Sequence, residues 1–298
     1  MTLEQLRIFI AVAEHLHFTR AAQTLHLTQP AVSAAIASLE GEYAVPLFHR
    51  VGRHVELAEA GRLLLEQARK IMKQVEYTQR VLQELKGLER GELFIAASQT
   101  IANYWLPIRL HRFHQAYPGI HVRLTIDSSP NITRQVLEGS ADLGLVEGKT
   151  EPNEQLSDEE IAGDHLVLIV GRSHPWWEKE HITFADLTEV QWVVRETGSG
   201  TRVLFEDELE LEGIDPHKLP IALELPSGEM IKAAVEAGAG VAVISELLVT
   251  REVKLGTLRT PEGVRLRRPF RLLMHRQRHP TKASLALVHS LSEVTQVL

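Results

Sequence analysis

From residue 91 to residue 275 the chain switches repeatedly between two periodicities, and this alternation restricts the fold more than any other feature. The short apolar runs "LFIAAS", "VRLTID", "DLGLVEG", "LVLIVG", "WVVRE", "IALEL", "GVAVIS" and "FRLLMH" have the length and β-branched content of strands. Between them lie amphipathic stretches such as "LPIRLHRFHQAYP", "ITRQVLEG", "RVLFEDELELEG" and "EMIKAAVEAG". Strands that alternate with helices predict an α/β region with parallel, doubly wound sheets, since each crossover helix covers a sheet face. Roughly 200 residues exceed what one such sheet needs, so two lobes are expected with a cleft at their strand C-termini.

The stretch before this region is of another kind. Residues 59–87 contain no proline and one interior glycine, Gly61. Leu64, Ala68, Ile71, Val75, Thr78, Leu82 and Leu85 are spaced 4, 3, 4, 3, 4, 3, the a/d rhythm of a coiled coil. A long helix that pairs with a second copy is expected, the alternative being an amphipathic helix packed on its own domain. "GLERGEL", residues 87–93, ends it.

The first 58 residues form a third pattern. "LEQLRIFIAVAEH" sets Leu6, Phe9, Ile10 and Ala13 on one helical face, and Thr19 is placed to cap a short helix over "RAAQTL". "HL" then leads to "LTQPAVSAAIASLE", where Thr28 is an N-cap and Pro30 falls in the first turn. Val32, Ile36 and Leu39 make the inner stripe of this helix, and its outer face carries only Gln29, Ala31, Ser33, Ala34, Ala35 and Ser38. Small hydrogen-bonding residues let another large molecule approach the backbone, as a recognition helix requires in a DNA major groove; an ordinary helical hairpin with a solvated face is the other reading. "PLFHRVGRHVEL" adds a two-stranded wing with Arg50, Arg53 and His54 near its tip. The surface expected to meet double-stranded DNA is therefore Thr19, Arg20, Thr28, Gln29, Pro30, Ser33, Ala34, Ser38, Arg50, Arg53 and His54.

Composition narrows the classes. There is no cysteine, which excludes disulfides, thiolate metal sites and thiol sensing. "MTLEQLR" has no leader-like character and no apolar run approaches a membrane span, so a soluble cytoplasmic protein is expected. The 298 residues carry a net charge of −7, and residues 1–58 hold four arginines against five glutamates. Charge alone therefore cannot bind DNA; helix N-termini, Gln/Ser/Thr side chains and several half-sites joined by oligomerisation have to contribute. Fifteen histidines include His111 and His114 three apart, but no third ligand lies nearby. No catalytic or cofactor motif is present, so neither an enzyme, a cofactor nor a metal is expected, and Trp176 and Trp177 are read as packing a loop.

Two strand-to-helix junctions are candidate ligand contacts. "SQTIANY" offers Ser98, Gln99 and Thr100, and "RETGSGTR" offers Glu196, Gly198, Ser199, Gly200 and Thr201. Hydroxyls beside free N–H groups at positive helix ends suit a small anion, though each junction could equally be a plain helix cap. Glu147, ending "DLGLVEG", would either accept a hydrogen bond from a protonated ligand or hold the hinge.

"LRIFIAVAE", "FTRAAQTLHLTQPAVSAAIASLE" and "PLFHRVGRHVELAEAG" together resemble the N-terminal signature of LysR-type transcriptional regulators, with Ala58 standing where the family usually has threonine. The resemblance implies a winged helix-turn-helix over 1–58, a linker and dimerisation helix over 59–88, and an effector-binding domain over 89–298 like a periplasmic solute-binding protein. Its lobes would be 91–162 with 267–298, and 163–266. It also implies a dimer through residues 59–87, a tetramer built from such dimers, and RNA polymerase as a further partner. "SQTIANYWLP", "GLVEG", "RETGSGTR" and "HRQRHPTKA" further resemble the branch responding to sulfite or related small oxyanions.

Overall fold

A capping box starts the first helix, α1 (Leu3–His15): the Gln5 amide donates to Thr2 Oγ1 and the Thr2 amide donates to the Gln5 side chain. The helix opens a computed structural model that describes residues 1–51, 54–84 and 91–293. Leu6, Phe9 and Val12 are buried along its inner face. α2 (Phe18–Thr24) is capped not by Thr19 but by His17, whose Nδ1 accepts from the Arg20 amide at 3.4 Å. The reason is upstream: α1 ends at the left-handed Leu16 (φ 47°), and the chain enters the next helix immediately, leaving Thr19 inside its first turn. α3 (Gln29–Tyr43) starts from the Thr28 cap with Pro30 in the first turn and buries Val32, Ile36 and Leu39. β1 (Phe48–Val51) and β2 (His54–Leu57) form an antiparallel ribbon. Phe48 packs against Phe9 and Phe18 with ring centroids 5.5 and 5.9 Å away, which fixes the ribbon to the helices.

The long helix, α4 (Glu59–Glu84), follows without a break in packing. Leu64, Leu65, Ala68 and Met72 join the core of the three N-terminal helices. At Gly61 a Cβ would stand 2.2 Å from the Leu47 carbonyl oxygen, so only glycine lets the helix lie this close to the chain before the ribbon. The compact N-terminal unit accordingly extends over Met1–Leu82, and a second unit comprises Gln83–Leu298. Leu85 of the expected seam lies outside the described residues.

In the second unit β3 (Gly91–Ala97) lies between β4 (Ile120–Ile126) and β5 (Leu143–Glu147), all parallel. A π-helical turn (Ile101–Trp105) leads into α5 (Leu106–Ala116), and α6 (Ser129–Glu138) follows β4. β6 (Leu156–Gly171) and β11 (Arg265–His275) run antiparallel to each other through both lobes, and β11 also pairs antiparallel with β5. The second lobe is built on β7 (Trp192–Arg195) and β8 (Ile221–Leu225), which are parallel, and on β9 (Ala242–Ser245) and β10 (Leu258–Arg259), which are antiparallel to β6. α7 (Gly200–Leu211), α8 (Gly228–Glu236) and α9 (Glu246–Leu255) cover this lobe, and α10 (Lys282–Glu293) returns to the first.

The sheets are thus mixed rather than purely parallel, because the chain must cross between lobes twice. Both crossing strands are longer than their apolar segments. The acidic "SDEE" of β6 is poor strand sequence, but β11 sets arginines across from it, and Arg267–Glu160 and Arg271–Asp158 pair between the strands. The first lobe's core contains Leu93, Ile95, Leu106, Phe113 and Phe270; the second's contains Leu166, Leu168, Trp192, Phe205 and Leu209. Trp176 and Trp177 pack on the rim of the latter. No helix among the described residues is long and apolar enough to cross a membrane.

Candidate functional site

The N-terminal unit presents α3 as expected from its spacing. Thr28, Gln29, Pro30, Ala34 and Ser38 are exposed and Ser33 is half-buried, while Thr19 and Arg20 are exposed on the preceding α2. Gln29 Nε2 donates to Ser33 Oγ at 2.7 Å along the face, and the bond leading off it to α1, from Gln5 Nε2 to Ser38 Oγ, is long at 3.4 Å, so the polar groups of this face remain open to solvent. His54 is exposed at the start of β2. Arg53 and the side chain of Arg50 lie outside the described residues.

In the second unit three helix starts converge between the lobes: the turn after β3, α6 and α7. They border a cleft of about 200 Å³ lined by Ser98, Gln99, Glu147, Glu196, Gly198, Ser199 and Gly200, and also by Asp127, Ser128, Ser129, Arg195 and Pro226. Ser128 and Ser199 are N-caps whose hydroxyls make no capping bond. Gln99 already bridges the lobes, accepting at 3.2 Å from the Gly228 amide at the start of α8. The carboxylates of the cleft are engaged by the protein. Asp127 accepts from the Ser128 amide (2.8 Å), Asn131 (2.6 Å) and Gln135 (3.1 Å), and Glu196 is held by Arg195 through two 2.7 Å bonds.

Behind the cleft lies an ionic cluster. Arg268 is fully buried, with Glu147 5% and Asp164 4% exposed. Arg268 Nε and Nη2 donate to the two oxygens of Asp164 at 2.8 and 2.6 Å, and its Nη1 donates to Glu147 Oε2 at 2.8 Å and to Thr201 Oγ1 at 2.9 Å. Burial pushes the guanidinium's pKa down, but the Glu147 charge and the bonds to Asp164 outweigh it, and the net direction is upward. Glu147 Oε1 accepts from Ser98 Oγ and from the Thr100 and Ile101 amides. Ser245 donates to Asp164 and caps α9.

Of the ligand-contact residues expected from sequence, seven line the cleft, while Thr100 and Thr201 are 4% exposed and reach the ionic cluster instead, Thr100 through its main-chain amide and Thr201 through its hydroxyl. Of the two roles open to Glu147, the structure shows it bonded inside the protein. Asp127, Ser128 and Ser129 were missed although the segment from Asp127 to Ile132 has the same strand, hydroxyl, helix pattern, with Pro130 in the first turn. Arg268 and Asp164 carry no local signal, being 104 residues apart and in no motif.

Comparison with known proteins agrees with this architecture. Residues 3–62 match the model of the bacterial regulatory helix-turn-helix protein, lysR family, and residues 86–296 match the LysR substrate binding domain. A probable RuBisCO transcriptional regulator of Trichormus variabilis is 37% identical over 289 residues, 96% of this chain and 86% of that protein. One from Synechocystis is 36% identical over 291 residues, 96% and 84% of the two chains. Among solved structures, full-length CbnR in complex with its target DNA has a TM-score of 0.76 at 24% identity, covering 98% of this chain and 99% of CbnR. A full-length OxyR from Pseudomonas aeruginosa has a TM-score of 0.70 at 22% identity, covering 98% of this chain and 94% of OxyR. The chain belongs to the LysR family. It is a DNA-binding transcriptional regulator with a substrate-binding domain, and not an enzyme. The resemblance to a sulfite-responsive branch finds no support in these relatives, whose names concern RuBisCO.

Proposed function

We propose that this regulator reads its operator with the small-residue face of α3, flanked by the wing, and that a small anion entering the inter-lobe cleft changes how it binds. The observation that carries the effector reading is the pair of N-caps Ser128 and Ser199, from helices of different lobes, with free hydroxyls on the same 200 Å³ cleft. The first N–H groups of α6 and α7 have no partner within their helices, so an anion between them gains donors from both lobes. Such a ligand binds the closed cleft better than an open one, and only that difference can shift an equilibrium. The cleft volume suits a small oxyanion or carboxylate.

The DNA reading extends to oligomers. Ile71 and Leu82 are 41% and 58% exposed on one stripe of α4 with Val75 and Thr78. A second copy covering this stripe forms a dimer, and two dimers form a tetramer that spans several half-sites. The working compartment is the cytoplasm, where RNA polymerase is the further partner.

The test is fluorescence anisotropy of labelled promoter fragments from the chain's own gene neighbourhood and, because of the relatives' names, from a RuBisCO gene. Sulfite, sulfate, thiosulfate, phosphate and small carboxylates are titrated against the complex and, by calorimetry, against the free protein. An effector should alter operator affinity by about five- to 150-fold, and Ser128→Ala with Ser199→Ala should weaken its binding. Equal binding to wild type and double variant moves the site elsewhere; no binding by any anion ends the small-anion reading.

A further inference from the structure

The turn after β3 has the donor set of an anion site, and the chain itself supplies the anion. Ser98 Oγ (2.7 Å), the Thr100 amide (3.1 Å) and the Ile101 amide (3.3 Å) all donate to one carboxylate oxygen of Glu147. Arg268 Nη1 donates to the other oxygen at 2.8 Å. Main-chain N–H groups at a helix start, a hydroxyl and a guanidinium are the combination proteins use for free carboxylates and oxyanions. Here the carboxylate arrives on the end of β5. The surroundings are closed: Ser98, Thr100, Glu147 and Thr201 are all under 8% exposed, and Arg268 is fully buried. A Cβ at Gly200 would stand 3.1 Å from the Glu147 carbonyl oxygen, so the start of α7 rests directly on the same residue.

We infer that Glu147 is the tethered occupant of a carboxylate-binding site formed by Ser98, Thr100, Ile101 and Arg268, and that removing its side chain opens this site to a free small monocarboxylate. Charge supports the assignment. Arg268 faces Glu147 and Asp164, so the buried cluster carries one excess negative charge, spread over neutral donors. A second anion beside Glu147 would leave two buried charges uncompensated, which is prohibitive at this burial; the occupied site therefore excludes free anions. With Glu147 replaced by alanine the cluster is neutral, and a monoanion restores the native balance while a dianion overshoots it. Size supports it too, because the atoms lost on going from glutamate to alanine are those of acetate. The tether also has a mechanical consequence. Glu147 belongs to the first lobe, Thr201 to the second, and Arg268 and Asp164 to the two crossing strands. The filled site holds all four segments together whether or not an effector enters the cleft, so Glu147 acts as a permanent clasp and a selectivity element that bars outside anions from the buried pocket behind the cleft, leaving the Ser128 and Ser199 side of the cleft open to an effector.

The experiment compares full-length wild type, Glu147→Ala and Glu147→Gln by thermal unfolding and calorimetry, with acetate, formate, sulfate and chloride at matched ionic strength. Glu147→Ala should melt below wild type. Acetate or formate should bind it saturably, about tenfold more tightly than wild type or better, the effect of one charge-assisted bond, and raise its midpoint, while sulfate and chloride should not. Glu147→Gln should gain nothing, because the amide fills the space. Acetate acting equally on wild type and Glu147→Ala, or an alanine variant as stable as wild type, overturns the assignment. Should Glu147→Ala fail to fold, refolding is compared in acetate and in chloride: recovery of operator binding in acetate alone supports the clasp, and equal failure in both overturns it. Because these readouts need no effector, they separate this assignment from the cleft reading above.

Discussion

The two units of this protein use the same side chains at helix starts to opposite ends. In the N-terminal unit Thr28, Gln29 and Ser38 stand exposed along α3, and their bonds, to the Ala31 amide, Ser33 and Gln5 respectively, leave hydrogen-bonding capacity unused. In the second unit Ser98 and Thr201 are buried and their hydroxyls are spent on an ionic cluster, to which Thr100 contributes its main-chain amide. Residue type does not distinguish the two cases; burial does. A hydroxyl on a solvated face is a surface prepared for a partner, whereas a hydroxyl bonded to a buried charge is already part of the fold.

If that contrast is right, the largest effect in the molecule comes from breaking the buried cluster. Arg268→Met should leave Glu147 and Asp164 buried without their cation and cost about 3–5 kcal/mol, the range for removing one partner of a buried pair. All four tryptophans lie at or beyond residue 105, so urea unfolding followed by tryptophan fluorescence reports the second unit specifically. Adding Glu147→Gln and Asp164→Asn to the same chain should recover much of the loss. A single variant as stable as wild type would mean that the cluster contributes no net pairing.

On the outward-facing unit substitutions should spare folding and remove partners. Ile71→Lys with Leu82→Lys places two charges on the exposed stripe of α4, forfeiting about 1.5–3 kcal/mol for each apolar side chain that a second copy would bury. Light scattering should then show a smaller assembly with unchanged circular dichroism. An unchanged mass places the pairing surface elsewhere. Ala34→Glu comes next: a bulky anion on the outer face of α3 should weaken operator binding by about 1–3 kcal/mol, comparable to a mismatched base pair, with folding altered by less than about 0.5 kcal/mol. Full operator affinity in the folded variant would take α3 out of the interface.

How much of this was readable beforehand follows the range of the interactions. α3 was legible to the residue because its signals are local: the Thr28 cap, Pro30 in the first turn and the Val32, Ile36, Leu39 stripe. The two strands of the wing and the helical character of α4 were equally plain, but Leu64 and Ala68, expected on the seam with a second copy, pack instead into the core of their own unit. Range defeated the reading of β6, whose acidic half becomes a strand only against the arginines of β11 about a hundred residues later. It also hid Arg268, which in "RLRRPF" reads as one more surface cation yet is the most buried charge among the described residues. For the candidate site, spacing located both junctions but not which residues of each reach the cleft; hence Ser98 and Ser199 line it, while Thr100 and Thr201 are buried and do not. The α6 start was missed for no physical reason, since its signature is the same as theirs.

The smallest expected effect sharpens the contrast between buried and exposed charge within the second unit. Asp186 lies in the first turn of the 3-10 segment Phe184–Glu189, as the acidic member of a capping box with Thr183, and accepts from Lys179 Nζ at 2.7 Å and from the Thr183 amide and hydroxyl, both at 2.8 Å. The Lys179 bond, followed by those from Thr183, holds its carboxyl at about 2, below the usual 3.8. A depressed folded pKa contributes stability that is present above the unfolded value and is lost as the pH falls from about 3.8 towards 2. The pair is partly exposed, with Asp186 27% and Lys179 40% accessible, so solvent screening should limit the effect to the 0–1 kcal/mol or so typical of surface pairs. Asp186→Asn should therefore lower neutral-pH stability by no more than about 1 kcal/mol and flatten the pH dependence of unfolding between about pH 4 and 2, where the wild type loses the same contribution. Carbon-13 titration of the Asp186 carboxyl in the wild type checks the cause directly. A midpoint near the ordinary aspartate value would show that the capping bonds do not hold the charge, and a loss at neutral pH comparable to that of Arg268→Met would erase the distinction between the exposed pair and the buried cluster.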